Sequence, residues 1–492
     1  MTRRRFARAS GTLRRAATPA ACFAFAVAGK LACAGGAAPA PAPGGPAAPG
    51  AEEHHASTAT TTTHSMMPEV DPSAAASPSA AAPTSAWTAS SAAAPTPAPA
   101  SAPLNVLMLF VDSMRADMPW AGYPREIAPH LTALEKQSVS WTRGYSVSSY
   151  TAKSVAAALS GRYPSSLKRS GYFFTKYPPS NVFFPELLQA AGVHTVSAHA
   201  HAYMSRGNGL DQGFVDWQVV GGISFDAQTD HHVTSDKLTK LVIEQLSRAP
   251  SGKPFFAYVH YMDPHDQYVQ HEESPRWGTG LRDRYDSEIF YTDVWIGKLL
   301  EWCRAQPWWG TTAVIVSADH GEAFGEHKRF RHAFELYEVL VRVPLFLFAP
   351  GLAPRRVEVA RSGVDLAPTI LELMGQPPGE GLAGKSLVPE ARGGVAEPRP
   401  VLLDLPADSN NPERRALIDG TWKLLVFGRD QAFQLFDLAA DPGESKDLAR
   451  KRPEELARMK KLYGEVWGAV PRVKPFGGNK LEGGGTASGP AN

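Results

Sequence analysis

The chain changes texture abruptly at Leu104. Immediately downstream, Asn105-Val106-Leu107-Met108-Leu109-Phe110-Val111 forms an apolar run, and similar runs recur at 255–261, 313–316 and 344–348. Runs of this length without polar alternation suit strands covered on both faces, as in a parallel sheet. Between them the apolar positions fall into helical spacing. Ile289, Ile296, Leu300 and Cys303 share one stripe; Leu366, Ile370, Leu371 and Met374 share another, which stops at Gly375. Strands alternating with helices predict a doubly wound, mostly parallel α/β sheet over 104–387. Beyond 387 the pattern shifts. Ala416-Leu417-Ile418 and 423–427 flank Asp419-Gly420 as in a hairpin. A further strand is expected at 433–438 and a helix at 453–467. These predict a small α+β subdomain over 388–470, followed by a disordered tail at 471–492.

The region before Leu104 reads differently. Residues 34–103 are rich in Ala, Pro, Ser, Thr and Gly, too poor in large apolar groups to offset the entropy of ordering, and are expected to form a flexible tether. His54, His55 and His64 fall within it and are read as solvated. The first 33 residues resemble an export signal. Arg3, Arg4, Arg5, Arg8, Arg14 and Arg15 precede an apolar, small-residue run at 16–29, which is shorter than the roughly 20 residues of a membrane-spanning helix. Thr2-Arg3-Arg4-Arg5-Phe6 is similar to a twin-arginine signal. Leu31-Ala32-Cys33 is an imperfect lipoprotein cleavage site, with Lys30 where an apolar residue is expected. The expected location is the periplasm or cell envelope, with membrane attachment through the N-terminus as a further option.

Charge and cysteine content narrow the class. Among 492 residues, 50 Lys and Arg nearly balance 48 Asp and Glu, so charge does not point to a nucleic-acid partner. Cys22, Cys33 and Cys303 are the three cysteines. Two lie in or beside the signal, so a disulfide framework is excluded, and Cys303 is expected in the core.

Candidate chemistry sits where strands end. Ligands of doubly wound sheets bind beyond the carboxyl ends of the strands. Asp112 follows the first buried run and Asp319-His320-Gly321 follows another; two carboxylates and an imidazole there could hold a divalent metal. Either acid alone could equally be a helix cap. Ser148-Ser149-Tyr150-Thr151-Ala152-Lys153-Ser154 leads into an apolar helix start. A hydroxyl at that position could act as a nucleophile or merely cap the helix.

Taken in order, the segments at 105–118 (NVLMLFVDSMRADM), 159–164 (LSGRYP), 258–265 (YVHYMDPH), 317–327 (SADHGEAFGEH) and 336–345 (LYEVLVRVPL) resemble the sulfatase family of the alkaline-phosphatase superfamily. The resemblance spans about 105–387 and continues weakly at 435–448. It implies one divalent metal held by Asp112, Thr151, Asp319 and His320. It also implies a nucleophile at Thr151 and active-site histidines at His265 and His332. Many sulfatases carry a second Asp after the first; Ser113 stands there, which favours a leaner, single-metal set. Imidazole ligation tilts the expected metal toward Zn²⁺ or Mn²⁺, with Ca²⁺ as the alternative.

Thr151 sets the expected chemistry. Sulfatases convert a Cys or Ser at this position to formylglycine, a hydrated aldehyde. Threonine cannot be converted, because its Cβ carries a methyl group. Lys153 and Val155 replace the Pro and Arg of the sulfatase signature. A Thr nucleophile resembles the phospho-transferring branches of the superfamily. The expectation is therefore a hydrolase of phosphate- or phosphodiester-type esters. Sulfate-ester hydrolysis without formylglycine, phosphotransfer to an envelope glycan or lipid, and a non-catalytic binding protein are the alternatives. Lys153 is expected to contact the ester's oxygens, Arg115 to reach the substrate anion or pair with Asp117, and His265 to touch substrate. His199 and His201 either line the pocket or are structural. Asp230 of Asp230-His231-His232 reads as a cap. Glu322 and His327 are expected beside the metal motif, and Trp302, Trp308 and Trp309 to pack a helix end. The substrate is read as a small-molecule, glycan or lipid ester, its identity open, as is the oligomeric state.

Overall fold

The structure is a computed structural model and describes residues 102–224 and 232–478, all within one compact unit, Ala93–Asn492. The export signal, nearly all of the tether, and Asp230 and His231 lie outside the described residues. The strands of the first half are β1 (Asn105–Val111), β2 (Val139–Tyr145), β3 (His194–His199), β4 (Asp216–Val219), β5 (Phe255–Tyr261) and β6 (Thr312–Ser317). A small hairpin of β7 (Ala323–Phe324) and β8 (Phe330–Arg331) follows, then β9 (Arg342–Val343), β10 (Leu345–Phe348) and β11 (Arg355–Ser362). The main sheet runs β11-β2-β10-β6-β1-β5-β3-β4, with β9 paired to β2. Its β6-β1-β5-β3-β4 portion is parallel throughout. The run at 344–348 is the exception: β10 lies antiparallel between β6 and β2. No long crossover helix intervenes between β6 and β10, so the chain turns back beside β6 and runs the other way.

The apolar run of β1 is explained by coverage on both faces. Val106, Met108 and Phe110 enter one core with α2 (Thr151–Ser160), α3 (Phe184–Ala190) and α7 (Leu366–Leu373). Leu107, Leu109 and Val111 enter the other, with α1 (Pro129–Glu135), α4 (Ser235–Ser247) and α5 (Leu281–Arg304). Ile289, Ile296, Leu300 and Cys303 of α5 are all buried, as their stripe predicts. Trp308 packs on Phe255 and Trp309 stacks on Phe348, so the tryptophan cluster does close the end of that helix.

After the short helix α8 (Val388–Ala391), a second sheet forms from β12 (Val401–Leu405), β13 (Arg414–Asp419), β14 (Trp422–Phe427) and β15 (Ala432–Asp437), antiparallel in that order. Gly420 supplies the positive φ of the β13–β14 turn. One face, with Val401, Leu403, Ala416 and Leu425, packs near Tyr150 and Ala152 at the start of α2. The other, with Leu402, Leu417 and Leu424, lies under Met459, Tyr463 and Trp467 of α9 (Pro453–Gly468). Between β8 and β9, α6 (Glu338–Val341) ties the sheets together: its Glu338 and also Glu444 pair with the fully buried Lys423 of β14. The tail expected to loosen at 471 is held further on. Val473 N–H donates to Ser165 O, and Phe476 bridges Ser170. Backbone hydrogen bonds, not apolar burial, fix these residues, which is why composition misses them.

Gly161 ends α2 in the left-handed region, φ 64°. A Cβ there would lie 2.8 Å from Leu382 Cδ2 and 3.0 Å from Ala367 Cβ. Gly161→Ala is expected to cost about 1–3 kcal/mol, through backbone strain and overpacking; a lowered urea midpoint at constant m-value measures it.

Candidate active site

Parallel pairing makes β6, β1 and β5 end at one edge of the sheet. Phe110 sits opposite His260 on one side and Ser317 on the other. Asp112 therefore emerges next to the end of β6, where Asp319 and His320 follow. Single ligand atoms of Asp112, Asp319 and His320 all lie within 4.8 Å of one another, and all three residues are buried. Ser113 turns the chain off β1 at φ 60°, a strained conformation for a non-glycine residue. It is held there by its own contacts: its hydroxyl donates to Asp112 Oδ1 at 2.9 Å, and its carbonyl accepts from Tyr285 at 2.8 Å.

The donor set fits a cation. His320 Nδ1–H donates to Gly321 O at 3.0 Å, which leaves Nε2 as the bare nitrogen. That nitrogen faces Asp319 Oδ2 at 3.3 Å and Asp112 Oδ1 at 3.7 Å. Asp319 Oδ2 is buried without a hydrogen-bond partner. Acceptors converging on acceptors in a dry site require positive charge among them. The pKa directions carry the same demand. Burial and the neighbouring Asp112 push the Asp319 carboxyl above its ordinary value. For Asp112, burial is outweighed by His320, His260 and His265, which hold it well below. For His320, burial is outweighed by Asp319 and Asp112, which push the imidazole up.

Thr151 opens α2, and its Oγ1 lies 3.1 Å from His320 Nε2 and 3.3 Å from Asp112 Oδ2. The same residue lines a cavity of about 300 Å³ whose walls include His201, His265 and His332. His265 Nδ1–H donates to Asp266 O at 3.0 Å. The His332 ring stacks on His320 at 4.1 Å and meets His265 at 4.9 Å. Its Nδ1 contacts Glu322 Oε2 at 3.3 Å. Burial and the nearby His320 push His332 down to about 4, against the pull of Glu322. Burial raises Glu322, but His332, His320 and His265 outweigh it and hold the carboxyl below its usual value.

Lys153 and His327 do not reach the site, and Arg115 takes the second of its two expected roles, pairing with Asp117. Lys153 turns away from the cavity, forms a buried ion pair with Asp408, and lies 4.6 Å from the Tyr150 ring centroid. A lysine one position past Ala152 on α2 cannot follow Thr151 onto the same face, because successive helical residues diverge by about 100°. Arg115 pairs with Asp117 at 2.9 Å and Glu326 at 2.8 Å and donates to Glu322 O at 2.7 Å, so its fork is occupied away from substrate. His327 stacks on Tyr337 at 3.7 Å rather than beside the metal motif. His199 is structural: it is buried, its Nε2 lies 2.7 Å from Ser197 Oγ, and it packs against Trp217.

His260 is the residue that sequence reasoning passed over. It is buried, 3.3 Å from Asp112 Oδ2 and 3.8 Å from Asp319 Oδ2, with Nδ1 2.8 Å from Tyr258 OH. Its position one residue before the end of a strand adjacent to β1 was the available signal. Asn410, from the C-terminal subdomain, also lines the cavity. No local motif announces it.

The fold and this cluster define an alkaline-phosphatase-like hydrolase of ester bonds. Residues 104–376 match the family model described as sulfatase, and residues 325–466 match that of the N-sulphoglucosamine sulphohydrolase C-terminal region. The chain belongs to the sulfatase family. It is 25% identical over 424 residues to choline-sulfatase of Rhizobium meliloti (strain 1021), covering 70% of this chain and 82% of that protein. It is 29% identical over 252 residues to arylsulfatase K of Bos taurus, covering 48% and 46%; the chain thus spans less than half of that relative. Among solved structures, a 2-O GAG sulfatase superposes with TM-score 0.63 at 18% identity, over 75% of this chain and 93% of that one. A phosphonate monoester hydrolase of Agrobacterium radiobacter gives 0.61 at 18% identity, over 74% and 95%.

Two outcomes follow from this geometry. Lys153→Met leaves the Asp408 carboxylate buried and unpaired, and is expected to cost about 3–5 kcal/mol, read as a lowered Tm. A Cβ on Gly321 would lie 2.2 Å from Val339 O. Gly321→Ala should therefore shift His320 and weaken divalent-metal affinity by about 10- to 100-fold, the range typical of lost outer-shell support, measured by calorimetric titration.

Proposed function

We propose that this sulfatase-family protein cleaves phosphate- or phosphodiester-type esters through a covalent intermediate on Thr151. The observation that carries the reading is the placement of Thr151 Oγ1, 3.1 Å from His320 Nε2 and 3.3 Å from Asp112 Oδ2, at the floor of an open cavity. Asp112, Asp319 and His320 would hold one divalent cation, with Thr151 alongside. Two oxygen donors and an imidazole favour Zn²⁺ or Mn²⁺ over Ca²⁺. When bound, the cation would supply Lewis-acid polarisation of the ester and of the Thr151 hydroxyl.

Thr151 Oγ1 forms a bond to phosphorus while the bond from phosphorus to the departing alcohol oxygen breaks. His265 and His332 line the same cavity. Each directs Nδ1–H to a protein acceptor, Asp266 O or Glu322 Oε2, leaving a bare Nε2 that takes up the proton shed by Thr151 and passes it to the departing oxygen, a contribution of about 10²–10⁴ in rate. Water then attacks phosphorus, breaks its bond to Thr151 and restores the hydroxyl.

The side chain at 151 favours phosphorus over sulfur. An aldehyde hydrate can release its ester by carbon–oxygen cleavage, but a threonine ester has no such route and must be opened at phosphorus or sulfur by water. Hydrolysis of sulfate esters is the second reading, favoured by the family match and by the names of the relatives. The basic and apolar N-terminal segments support work at the cell envelope; among the described residues no helix is long and apolar enough to cross a membrane.

An activity panel of aryl phosphate, phosphodiester, phosphonate and sulfate esters, with added Zn²⁺, Mn²⁺ or Ca²⁺, tests the reading. Phosphorus esters should turn over, EDTA should stop them, and Thr151→Ala should abolish turnover while calorimetry still detects the cation. Sulfatase activity that survives Thr151→Ala would sink the nucleophile assignment.

A further inference from the structure

The cavity that Thr151 lines carries aromatic side chains in series along its wall. Tyr150 stacks on Phe173 at 4.1 Å, Phe173 meets Phe174 at 5.2 Å, and Phe174 meets Tyr203 at 5.5 Å. All four line the cavity, together with Met262 and Phe334. The Tyr203 hydroxyl is spent on Thr175 O at 2.5 Å, so this residue offers its ring. At the outer rim Phe334 remains 43% exposed, in a left-handed conformation at φ 61°. An exposed phenyl group held in a strained conformation beside a reaction centre points to a ligand contact.

Charge on the wall is as informative. Among the described residues, Arg331 is the one Lys or Arg lining the cavity, and its guanidinium pairs with Asp266 at 2.7 Å. A polyanionic sugar chain would find no excess of cations here. The cavity, at about 300 Å³, is at the lower end of small-molecule sites, which span roughly 300–1,000 Å³.

We propose that the alcohol portion of the substrate is a small, uncharged, apolar group that packs on Phe173 and Phe334, and that sulfated or phosphorylated oligosaccharides are excluded. The inference rests on the reading of Thr151 as the reaction centre, and it holds whether phosphorus or sulfur is attacked. In hydrolysis the ester oxygen leaves with this group and takes a proton, so the product is a neutral alcohol.

The test compares 2-phenylethyl with 2-methoxyethyl esters, whose alcohols are similar in acidity, as phosphates and as sulfates, beside a sulfated disaccharide. The phenylethyl ester should have a kcat/KM higher by about tenfold or more, the scale on which apolar pockets discriminate. In Phe334→Ser, an exposed site where folding is not at stake, and in Phe173→Ser, that ratio should fall toward one. Calorimetric titration of the Thr151→Ala protein with 2-phenylethanol gives a readout without turnover: binding is expected, and weaker by about tenfold when Phe334→Ser is added. Equal rates for the two esters, or preference for the disaccharide, overturn the inference while leaving the Thr151 reading intact. Binding of the alcohol that depends on Phe334, in a protein that hydrolyses neither ester, supports the pocket and counts against Thr151.

Discussion

Two carboxylates shut away from water beside each other dominate this structure. Asp112 and Asp319 are essentially inaccessible, and like charges in a low-dielectric setting repel strongly. The fold gathers imidazoles around the pair: His320 beside the oxygens, His260 on the neighbouring strand, His265 in the cavity. The same arrangement gives a cation a reason to bind. The strained turn at Ser113, the close packing of Gly321 on Val339 O, and the hydrogen bond from Tyr258 to His260 all serve to keep that cluster in place.

Sheet topology converts distant sequence into this proximity. Asp112 and Asp319 are far apart in the chain but adjacent in space because β1 and β6 are parallel neighbours in register. The core strands, the major helix stripes and the C-terminal hairpin were legible because each is a one-dimensional pattern: an unbroken apolar run, a helical repeat, an Asp-Gly turn. β2 and β12 were not. Val139-Ser140-Trp141-Thr142-Arg143-Gly144-Tyr145 mixes apolar and polar residues because its Ser finds Glu135 on α1, its Thr finds Val357 O on β11 and its Arg finds Gly420 O in the β13–β14 turn. Val401-Leu402-Leu403-Asp404-Leu405 carries an acid that is buried and spent on Ser165.

The candidate site was legible in the same uneven way. Asp112, Thr151, Asp319 and His320 could be named because each stands in a motif at the end of a recognisable element. Lys153 and Arg115 were read toward the substrate because charge near a catalytic motif attracts that reading. The structure supplies Lys153 with a partner that a sequence cannot display, Asp408, and gives Arg115 Glu326 beside the Asp117 that its spacing already offered. His260 stands inside the segment 258–265, but that segment directs attention to His265 at its end. His260 becomes visible only once Phe110 is known to lie opposite it.

The buried lysine also shows why the C-terminal subdomain belongs to the site and not merely to the body. Asp408, which pairs with Lys153 on α2, accepts from the backbone of Asn410 and Asn411 and from the Asn411 side chain. Asn411 Oδ1 in turn accepts from Phe334 N at 3.0 Å. The segment that carries His332 has left-handed residues at Arg331, Ala333 and Phe334, each a cost of about 1–3 kcal/mol that surrounding contacts must offset. Asn411 on one side and Ser149 O, which accepts from Ala333 N at 2.8 Å, on the other provide them. The helix bearing Thr151 and the loop bearing His332 are thus fastened to the same short loop between β12 and β13. Thr151 and His332, drawn from separate elements, keep their spacing because both are tied to a third.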